Sequence, residues 1–425
     1  LTGIVCPTAR SSDSVIKAGD LILTEQPFAF VLSSKEQGTR CDNCLEKGKV
    51  LKCSGCQFVY YCGRGCQRDA WSDHKWECSN FKRVAPKVLP DGARMLAKLI
   101  NRLSRADGAT YKSYYSPTSF RMWKDLMSHY SDLKADKKRM DHFTSLCVVL
   151  YEFLKDISLP NTVELMGLYG RMVINSFMIL DVDMNSIGTG IYLGASVVDH
   201  SCSPNAVATF HGKTISIRAL EDMPYLDWNQ IRISYIDLMK TPYQRQKELL
   251  QNYYFLCQCH RCMGKLLSMC YSIPLRMATV NIQPVGLRSK PIKKCLVLNP
   301  NTDVDVCKYC LERHEGVLHP LNVLHAQTLD HALDALIQTQ LWETACSYAE
   351  LLVPCFRFYY GEKNPLLGLL HLKYGKILLY KMQIAKALTQ LKCAEKIIKL
   401  THGDRHPLYQ EQLVPLLQQA VMESS

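Results

Sequence analysis

The sequence predicts an α+β protein with a β-rich first part, a small cysteine-rich module inserted into it, and an entirely helical last third. Three observations support this prediction. They are a dense cysteine and histidine cluster at 41–78, a β-prone region that ends in CxCxxC at 257–262, and a helical repeat from about residue 304 onward. With 425 residues, the chain can form two or three domains with their own cores.

Composition limits the classes of protein to which the chain can belong. No run of 18 or more apolar residues occurs, so we expect no membrane span. The net charge of +12 is spread along the chain, which indicates a solvated basic surface and leaves nucleic-acid binding as an alternative. No secretory signal opens the chain, so we expect the 20 cysteines to be reduced and the protein to occupy the cytoplasm and nucleus.

The cluster at 41–78 has the spacing of a zinc-binding module. Its candidate ligands are Cys41, Cys44, Cys53, Cys56, Cys62, Cys66, His74 and Cys78. Eight ligands make two tetrahedral sites of four, and pairs spaced i, i+4 lie on one helical face. A module of fewer than about 40 residues buries too little apolar surface to fold alone, so zinc would take the place of a core. Spacing alone leaves the pairing of ligands open.

A second group of motifs lies between residues 173 and 262. VINSFMI (173–179) is apolar and β-prone and predicts a buried strand. It is followed by IGTGIY (187–192), DHSCSPNA (199–206), IRISYIDL (231–238) and YYFLCQCHRC (253–262).

The CxCxxC pattern predicts a further zinc site. Its three cysteines, Cys257, Cys259 and Cys262, need a fourth ligand, and Cys202 is the thiol in a matching turn upstream. A zinc ion held by these four residues would fix the later segment across the turn at 199–205. It would also bring Tyr253 and Phe255 next to that turn and to Tyr235.

The C-terminal third predicts stacked pairs of helices. Residues 341–379 resemble 383–421 at a constant offset of 42. Gly361 and Gly403 suit helix C-termini, and Pro365 and Pro407 suit the start of the next helix. The pattern is that of a solenoid and is similar to tetratricopeptide (TPR) packing, with a period longer than 34 residues.

Another CxxC, Cys307 and Cys310, lies near Cys295 and His314. The surrounding sequence predicts a helix, which argues against a fourth zinc site. We therefore expect three zinc ions per chain.

The spacing at 41–78, with HSCSPN, SYID and CQCHRC downstream, resembles the SET-and-MYND (SMYD) family of lysine methyltransferases over nearly the whole chain. The resemblance implies a β-rich SET fold that is interrupted by a MYND zinc finger and a helical insert. A post-SET zinc segment and an all-α, TPR-like C-terminal domain follow. The implied parts are the N-terminal SET part at 1–40, the MYND finger at 41–78, the insert at 79–168, the SET core at 169–240, the post-SET segment at 241–265 and the helical domain at 266–425.

The resemblance also implies how the finger ligands pair. In that family the two sets are interleaved. One zinc would be held by Cys41, Cys44, Cys62 and Cys66, and the other by Cys53, Cys56, His74 and Cys78.

By the same resemblance, the chain would transfer a methyl group from S-adenosylmethionine to histone or non-histone lysines. The implied roles are orientation of the amine and methyl for Tyr235, the lysine channel for Phe177 and Tyr253, adenine stacking for Phe255, and cofactor contacts for His129, Asn175, Asp199 and His200. The implied partners are a protein with a target lysine and proline-rich or other peptides that bind the MYND finger. We expect a monomer.

Three departures from the family pattern leave an alternative open. The stretch CPTARSSDS (6–14) lacks the family's glycine-rich turn, Asp199 stands where the family has asparagine, and YLDWNQ (225–230) replaces an acidic GEE. The alternative is a catalytically weakened MYND and helical-repeat scaffold for protein–protein interaction in transcriptional regulation.

Overall fold

The structure, a computed structural model, describes residues 15–155, 159–264 and 300–424. The chain divides into two compact units. The first comprises Leu1–Asp199, Ala208–Ile231 and Asn252–Tyr254, and the second comprises His200–Val207, Arg232–Gln251 and Phe255–Ser425. The glycine-free stretch at 6–14 and Cys295 lie outside the described residues.

Small sheets form the β part of the chain. The strands are β1 (Leu21–Glu25), β2 (Ala29–Leu32), β3 (Leu51–Lys52), β4 (Tyr60–Tyr61), β5 (Ser113–Tyr114), β6 (Phe120–Arg121), β7 (Ser176–Leu180), β8 (Ser186–Ile191), β9 (Asp199–His200), β10 (Ala206–His211), β11 (Thr214–Ala219) and β12 (Arg232–Ile233). Two sheets have three strands, in the orders β1–β11–β10 and β2–β8–β7. The other pairs are β3–β4, β5–β6 and β9–β12.

Side-chain alternation and close backbone approach explain the two larger sheets. In β11, Ile215, Ile217 and Ala219 are buried while the residues between them are partly exposed, as expected when every second side chain faces the core. In β8, a Cβ on Gly188 would lie 2.6 Å from the carbonyl oxygen of Val31 on the paired strand β2. Glycine at 188 therefore permits this pairing, which is a local reason for the IGTGIY motif.

The helices of the first unit pack around an apolar core. They are α1 (Arg64–Val84), α2 (Asp91–Ser104), α3 (Tyr130–Ala135), α4 (Lys137–Phe153) and α5 (Thr162–Asn175). Helix α2 is amphipathic, and its buried face packs on β2 and α4. This core extends beneath the cysteine cluster, where Phe58 stacks on Phe81 at a ring-centroid distance of 4.0 Å.

The predicted strand at 173–179 is partly wrong, because residues 173–175 end helix α5 and the strand begins at Ser176. Asn161 and Glu164 form a capping box that starts this helix. At its other end, the Asn175 Nδ2 donates to the carbonyl oxygen of Arg171 at 2.8 Å, and the Ser176 hydroxyl donates to that of Met172. These side chains satisfy carbonyls of the last turn and allow the helix to run directly into β7.

The second unit is mainly helical, and consecutive helices pack on one another. Its helices are α6 (Pro242–Tyr253), whose last two residues belong to the first unit, α7 (His260–Met263), α8 (Pro300–His314), α9 (Val323–Gln338), α10 (Trp342–Tyr360), α11 (Pro365–Tyr380), α12 (Ile384–Thr401) and α13 (Val414–Ser424). The residues around Cys307 and Cys310 are helical, as predicted.

The 42-residue repeat is present in the backbone. Gly361 and Gly403 follow equivalent helices with φ values of 84° and 85°, a left-handed conformation that favours glycine. Gln340 and Met382, also 42 residues apart, have φ values of 59° and 56°. The second copy differs because a π-helical stretch, Leu408–Leu413, precedes α13.

No helix in the described ranges has both the length and the apolar character that crossing a bilayer requires.

Candidate active site and zinc centres

Among the residues that the structure describes, three groups of four ligand atoms are brought together. They are Cys41, Cys44, Cys62 and Cys66; Cys53, Cys56, His74 and Cys78; and Cys202, Cys257, Cys259 and Cys262. Within each group, all the ligand atoms lie within 4.8 Å of one another. The two finger groups have the interleaved arrangement that the family resemblance implies.

Distances between the ligand atoms fit tetrahedral zinc. Sulfurs about 2.3 Å from one ion would lie about 3.8 Å apart. The Sγ atoms of Cys53 and Cys78 are 3.8 Å apart, and those of Cys202 and Cys262 are 3.5 Å apart. A disulfide would place them about 2.05 Å apart, so these thiols are reduced. The residues present therefore fit three structural zinc ions.

Local backbone geometry explains why the finger's two CxxC pairs can each face one ion. The amide of Leu45 donates to the carbonyl oxygen of Cys41, and that of Gln57 to Cys53, both at 2.9 Å. Leu45 and Gln57 have positive φ values of 66° and 57°, so both turns close in the same way. Each turn thereby directs its two sulfurs to one side.

A buried charged network supports the His74 ligand. The His74 Nδ1 lies 3.0 Å from Glu77 Oε1, and the Arg94 Nη2 donates to the same oxygen at 2.9 Å. The second terminal nitrogen of Arg94, Nη1, donates to Asp42 Oδ1 at 2.8 Å. Burial alone would raise the pKa of Glu77, but the charges of Arg94 and Lys98 and the hydrogen bonds with His74 and Arg94 together hold that pKa below its usual range. Glu77 is therefore an ionised acceptor that fixes the orientation of the zinc-binding imidazole.

We expect replacement of Arg94 by leucine to destabilise the first unit by about 3–5 kcal/mol, because it leaves two carboxylates buried without their cation. Urea unfolding, monitored through zinc release at a fixed total zinc concentration, measures this change in the free energy of unfolding. A matched control is Lys87→Leu, which removes an exposed pair with Glu152 and is expected to cost less than about 1 kcal/mol. Equal effects of the two substitutions would show that the buried network stabilises the protein no more than the exposed Lys87–Glu152 pair does.

Cys202, the first member of the third cysteine group, lies on a turn that hydrogen bonds hold on several sides. Cys202 is fully buried, and its carbonyl oxygen accepts a hydrogen bond from Arg261 Nη1 at 2.7 Å. The Ser201 amide donates to the carbonyl oxygen of Ile233 at 3.0 Å, which ties the turn to β12. Hydrogen bonds from Cys202 and Cys262 lower the pKa of Cys259, whereas the hydrogen bond with Cys259 raises the pKa of Cys202 and burial raises that of Cys257. Cys259 is therefore the member of this group that most readily becomes a thiolate.

Tyr235, the predicted central residue of the active site, lies in an aromatic cluster beside this group. Its backbone amide donates to His200 Nδ1 at 3.0 Å, and the two ring centroids are 5.3 Å apart. The ring centroids of Phe255 and His200 are 5.9 Å apart. Burial lowers the pKa of His200 to about 4, so its imidazole is neutral near pH 7. The structure thus brings together Tyr235, His200, Phe255 and the third zinc site.

The loop that follows Tyr235 is also anchored. Asp237 Oδ1 accepts a hydrogen bond from the Tyr360 hydroxyl at 2.7 Å and another from the Met239 amide at 3.0 Å. Ser234 Oγ donates to the carbonyl oxygen of Ile236 at 2.8 Å. Tyr235 is therefore flanked by residues whose positions are fixed by polar contacts.

The other predicted cofactor and channel residues belong to the first unit. Asn175 ends α5, and its Nδ2 donates to the carbonyl oxygens of Met127 and Arg171 at 2.9 and 2.8 Å. Its Oδ1 accepts no hydrogen bond from the described residues and is available to a donor on a ligand. Phe177 is half-buried on β7.

The remaining three are placed as follows. His129 precedes α3 with a φ of 48°, and its Nδ1 lies 2.9 Å from Asp132 Oδ2. Asp199 is exposed at the start of β9, and Tyr253 is partly buried at the end of α6.

Several supporting residues were missed from the sequence. Glu77 lies one turn after His74, and that spacing could have suggested it as the partner of a zinc-binding imidazole. Arg94, Arg261 and Tyr360 carried no such signal, because their partners are distant in sequence or are backbone atoms.

Comparisons with known proteins agree with this arrangement. Residues 41–78 match the MYND finger family. The chain is 29% identical over 414 residues to the histone-lysine N-methyltransferase SMYD3 of Mus musculus, an alignment that covers 95% of the chain and 93% of that protein. It is 26% identical to the histone-lysine N-methyltransferase ASHR1 of Arabidopsis thaliana, over 96% of the chain and 92% of that protein.

A third relative, the N-lysine methyltransferase SMYD2 of Homo sapiens, is 25% identical over 93% of the chain and 92% of its own length. The MYND match, the three ligand groups and similarity along almost the entire length together support the similarity of the chain to the SMYD family.

Proposed function

We propose that the chain is an S-adenosylmethionine-dependent protein-lysine N-methyltransferase that acts on histone or non-histone lysines. The observation that carries this proposal is the cluster of Tyr235, His200 and Phe255 beside the third cysteine group. The three relatives described above are named as lysine methyltransferases.

The first chemical task is to supply a neutral amine. A free lysine has a pKa of about 10.4, so its neutral form costs about 4.6 kcal/mol at pH 7. An apolar channel lowers that pKa, because burial disfavours the charged form. We assign the channel to Phe177 and Tyr253, whose side chains are partly buried and aromatic.

The second task is alignment. When bound, S-adenosylmethionine would supply an electrophilic methyl group on a positively charged sulfur. The Tyr235 hydroxyl orients the lysine amine for in-line attack, and its backbone is already fixed through His200. Phe255 offers an aromatic face for the adenine, and Asn175 Oδ1 offers an acceptor for an ammonium or hydroxyl group. We assign further contacts to His129, Asp199 and the backbone of His200.

The rival proposal is the catalytically weakened scaffold. The sequences at 6–14 and 225–230 and the aspartate at position 199 favour it, since all three depart from the family pattern. Isothermal titration calorimetry with S-adenosylmethionine separates the two. An enzyme should bind the cofactor saturably, with an affinity in the range of about 1 μM to 1 mM that is common for enzyme substrates. A zinc-loaded protein that releases no heat at millimolar cofactor would support the scaffold.

We also propose that the MYND finger binds proline-rich or other peptides and that the chain acts as a monomer in the cytoplasm and nucleus. The support is the finger itself and the reduced cysteines of the described residues, which suit a reducing compartment.

A further inference from the structure

The His200 side chain contacts both the third cysteine group and the backbone of Tyr235. Its Nδ1 lies 3.0 Å from the Tyr235 amide nitrogen, and its Nε2 lies 3.3 Å from the Sγ of Cys202. We propose that His200 is a positioning residue that ties the third zinc site to Tyr235, accepting the tyrosine amide at Nδ1 and donating its Nε2–H to the Cys202 sulfur. This inference rests on the proposed function, because it assigns a cause to the position of Tyr235.

The roles of the two ring nitrogens follow from their partners. A backbone amide can only donate, so Nδ1 must present its lone pair to Tyr235. In a neutral imidazole the proton is then on Nε2, and Cys202 Sγ is the partner within reach. A thiolate bound to zinc carries negative charge and is a better acceptor than a thiol. One imidazole thereby links a metal ligand to a backbone donor.

The position of His200 explains why such a link is useful. The β9–β12 pairing ends at Ile233, where the Ser201 amide donates to the Ile233 carbonyl at 3.0 Å. Tyr235 lies two residues beyond that strand, so regular sheet pairing does not extend to it. The His200 ring also contacts the rings of both Tyr235 and Phe255, at centroid distances of 5.3 and 5.9 Å. The zinc site can therefore set the position of both aromatic side chains through His200.

Two substitutions separate the two hydrogen bonds. In His200→Asn, the side-chain oxygen can occupy the position of Nδ1 and accept from Tyr235, but the side chain is too short to reach the sulfur. In His200→Gln, the terminal amide nitrogen can occupy the position of Nε2 and donate to Cys202, while the acceptor at Nδ1 is lost. His200→Phe keeps an aromatic ring and removes both hydrogen bonds.

The experiment measures two quantities that need no methyl transfer: hydrogen exchange at the Tyr235 amide and the rate of zinc release from the third site to a colorimetric chelator. We expect His200→Phe to raise both by about tenfold, since loss of an outer partner weakens metal binding about 10–100-fold. His200→Gln should raise mainly the exchange, and His200→Asn mainly the zinc release. In His200→Phe we also expect kcat to fall about tenfold, with the KM for the protein substrate changed less than about twofold, because alignment is lost rather than substrate binding.

The control is His331→Phe, which changes an exposed histidine on α9 of the same unit. The proposal would be overturned if the Tyr235 amide exchange rate and the zinc release rate of His200→Phe both equalled those of the wild type. Identical effects of the asparagine and glutamine variants would also overturn it, because a general packing defect predicts that result. Absence of methyl transfer in the wild type would instead contradict the proposed function, and the two cofactor-independent measurements would still decide the role of His200.

Discussion

We expect Tyr235→Phe to reduce methyl transfer by about 10²–10³-fold, the usual effect of removing one positioned hydrogen-bond group from an active site. The substitution keeps the ring that packs against His200 at 5.3 Å and keeps the backbone amide that His200 accepts. Only the hydroxyl is lost. Cofactor affinity should therefore change by less than about threefold, because the hydroxyl acts on the reacting groups in the transition state.

Single-turnover transfer of labelled methyl groups, together with calorimetry of cofactor binding, measures both quantities. Tyr243→Phe is the matched control, because Tyr243 is 70% exposed on α6 and its hydroxyl has no assigned role. Transfer within about tenfold of wild type in the Tyr235 variant would remove that residue from its role.

Replacing Cys202 with serine should remove one zinc ion and abolish methyl transfer. Cys202 is fully buried, and its sulfur lies 4.0 and 3.5 Å from those of Cys257 and Cys262. Without this ligand the remaining three cysteines lose their metal-mediated connection to the turn that carries His200, whereas the hydrogen bond from Arg261 to the residue-202 carbonyl oxygen remains. The loss is large, since a structural zinc site contributes on the order of 10–16 kcal/mol of binding free energy.

Elemental analysis should give about two zinc ions per chain for Cys202→Ser and about three for the wild type, with four ligands for each ion. Cys393→Ser is the control, because Cys393 lies on α12 and belongs to none of the three ligand groups. A variant that keeps three zinc ions, or a wild-type protein that holds only one, would contradict the assignment.

The zinc ligands could be predicted from sequence because their spacing is a local property. A CxxC turn needs only four consecutive residues, and an i, i+4 pair needs one turn of helix. The helical repeat was similarly accessible, since Gly361 and Gly403 mark equivalent left-handed positions. These signals lie within a few residues of the structure they predict, whereas the interleaved pairing of the finger ligands came from the family resemblance and Cys202 lies 55 residues before Cys257.

Long-range pairings could not be predicted in this way. Arg94 pairs with Asp42, which lies 52 residues earlier in the chain. The sequence of an amphipathic helix does not show which of its cations will be buried or which carboxylate will pair with it. The start of β7 was misjudged by three residues, because β-prone apolar residues can also end a helix when side chains such as that of Asn175 cap it. The hydrogen bond at His200 Nδ1 comes from a backbone amide 35 residues away.

The roles of Asn175 and Phe177 are a different matter. They come from family resemblance, and the structure adds an available acceptor on Asn175 and a half-buried ring at 177. Substitution of either residue tests its role only once methyl transfer by the wild-type protein has been measured.

Transfer of a labelled methyl group from S-adenosylmethionine to protein is the most direct test of the central claim. The zinc-loaded chain should be incubated with labelled cofactor and a panel of histones and cell lysate, and modified lysines should be located by mass spectrometry. We predict label on a lysine side chain with the wild type and none above background with Tyr235→Phe. No labelled lysine in any sample, or equal labelling by both proteins, would contradict the account.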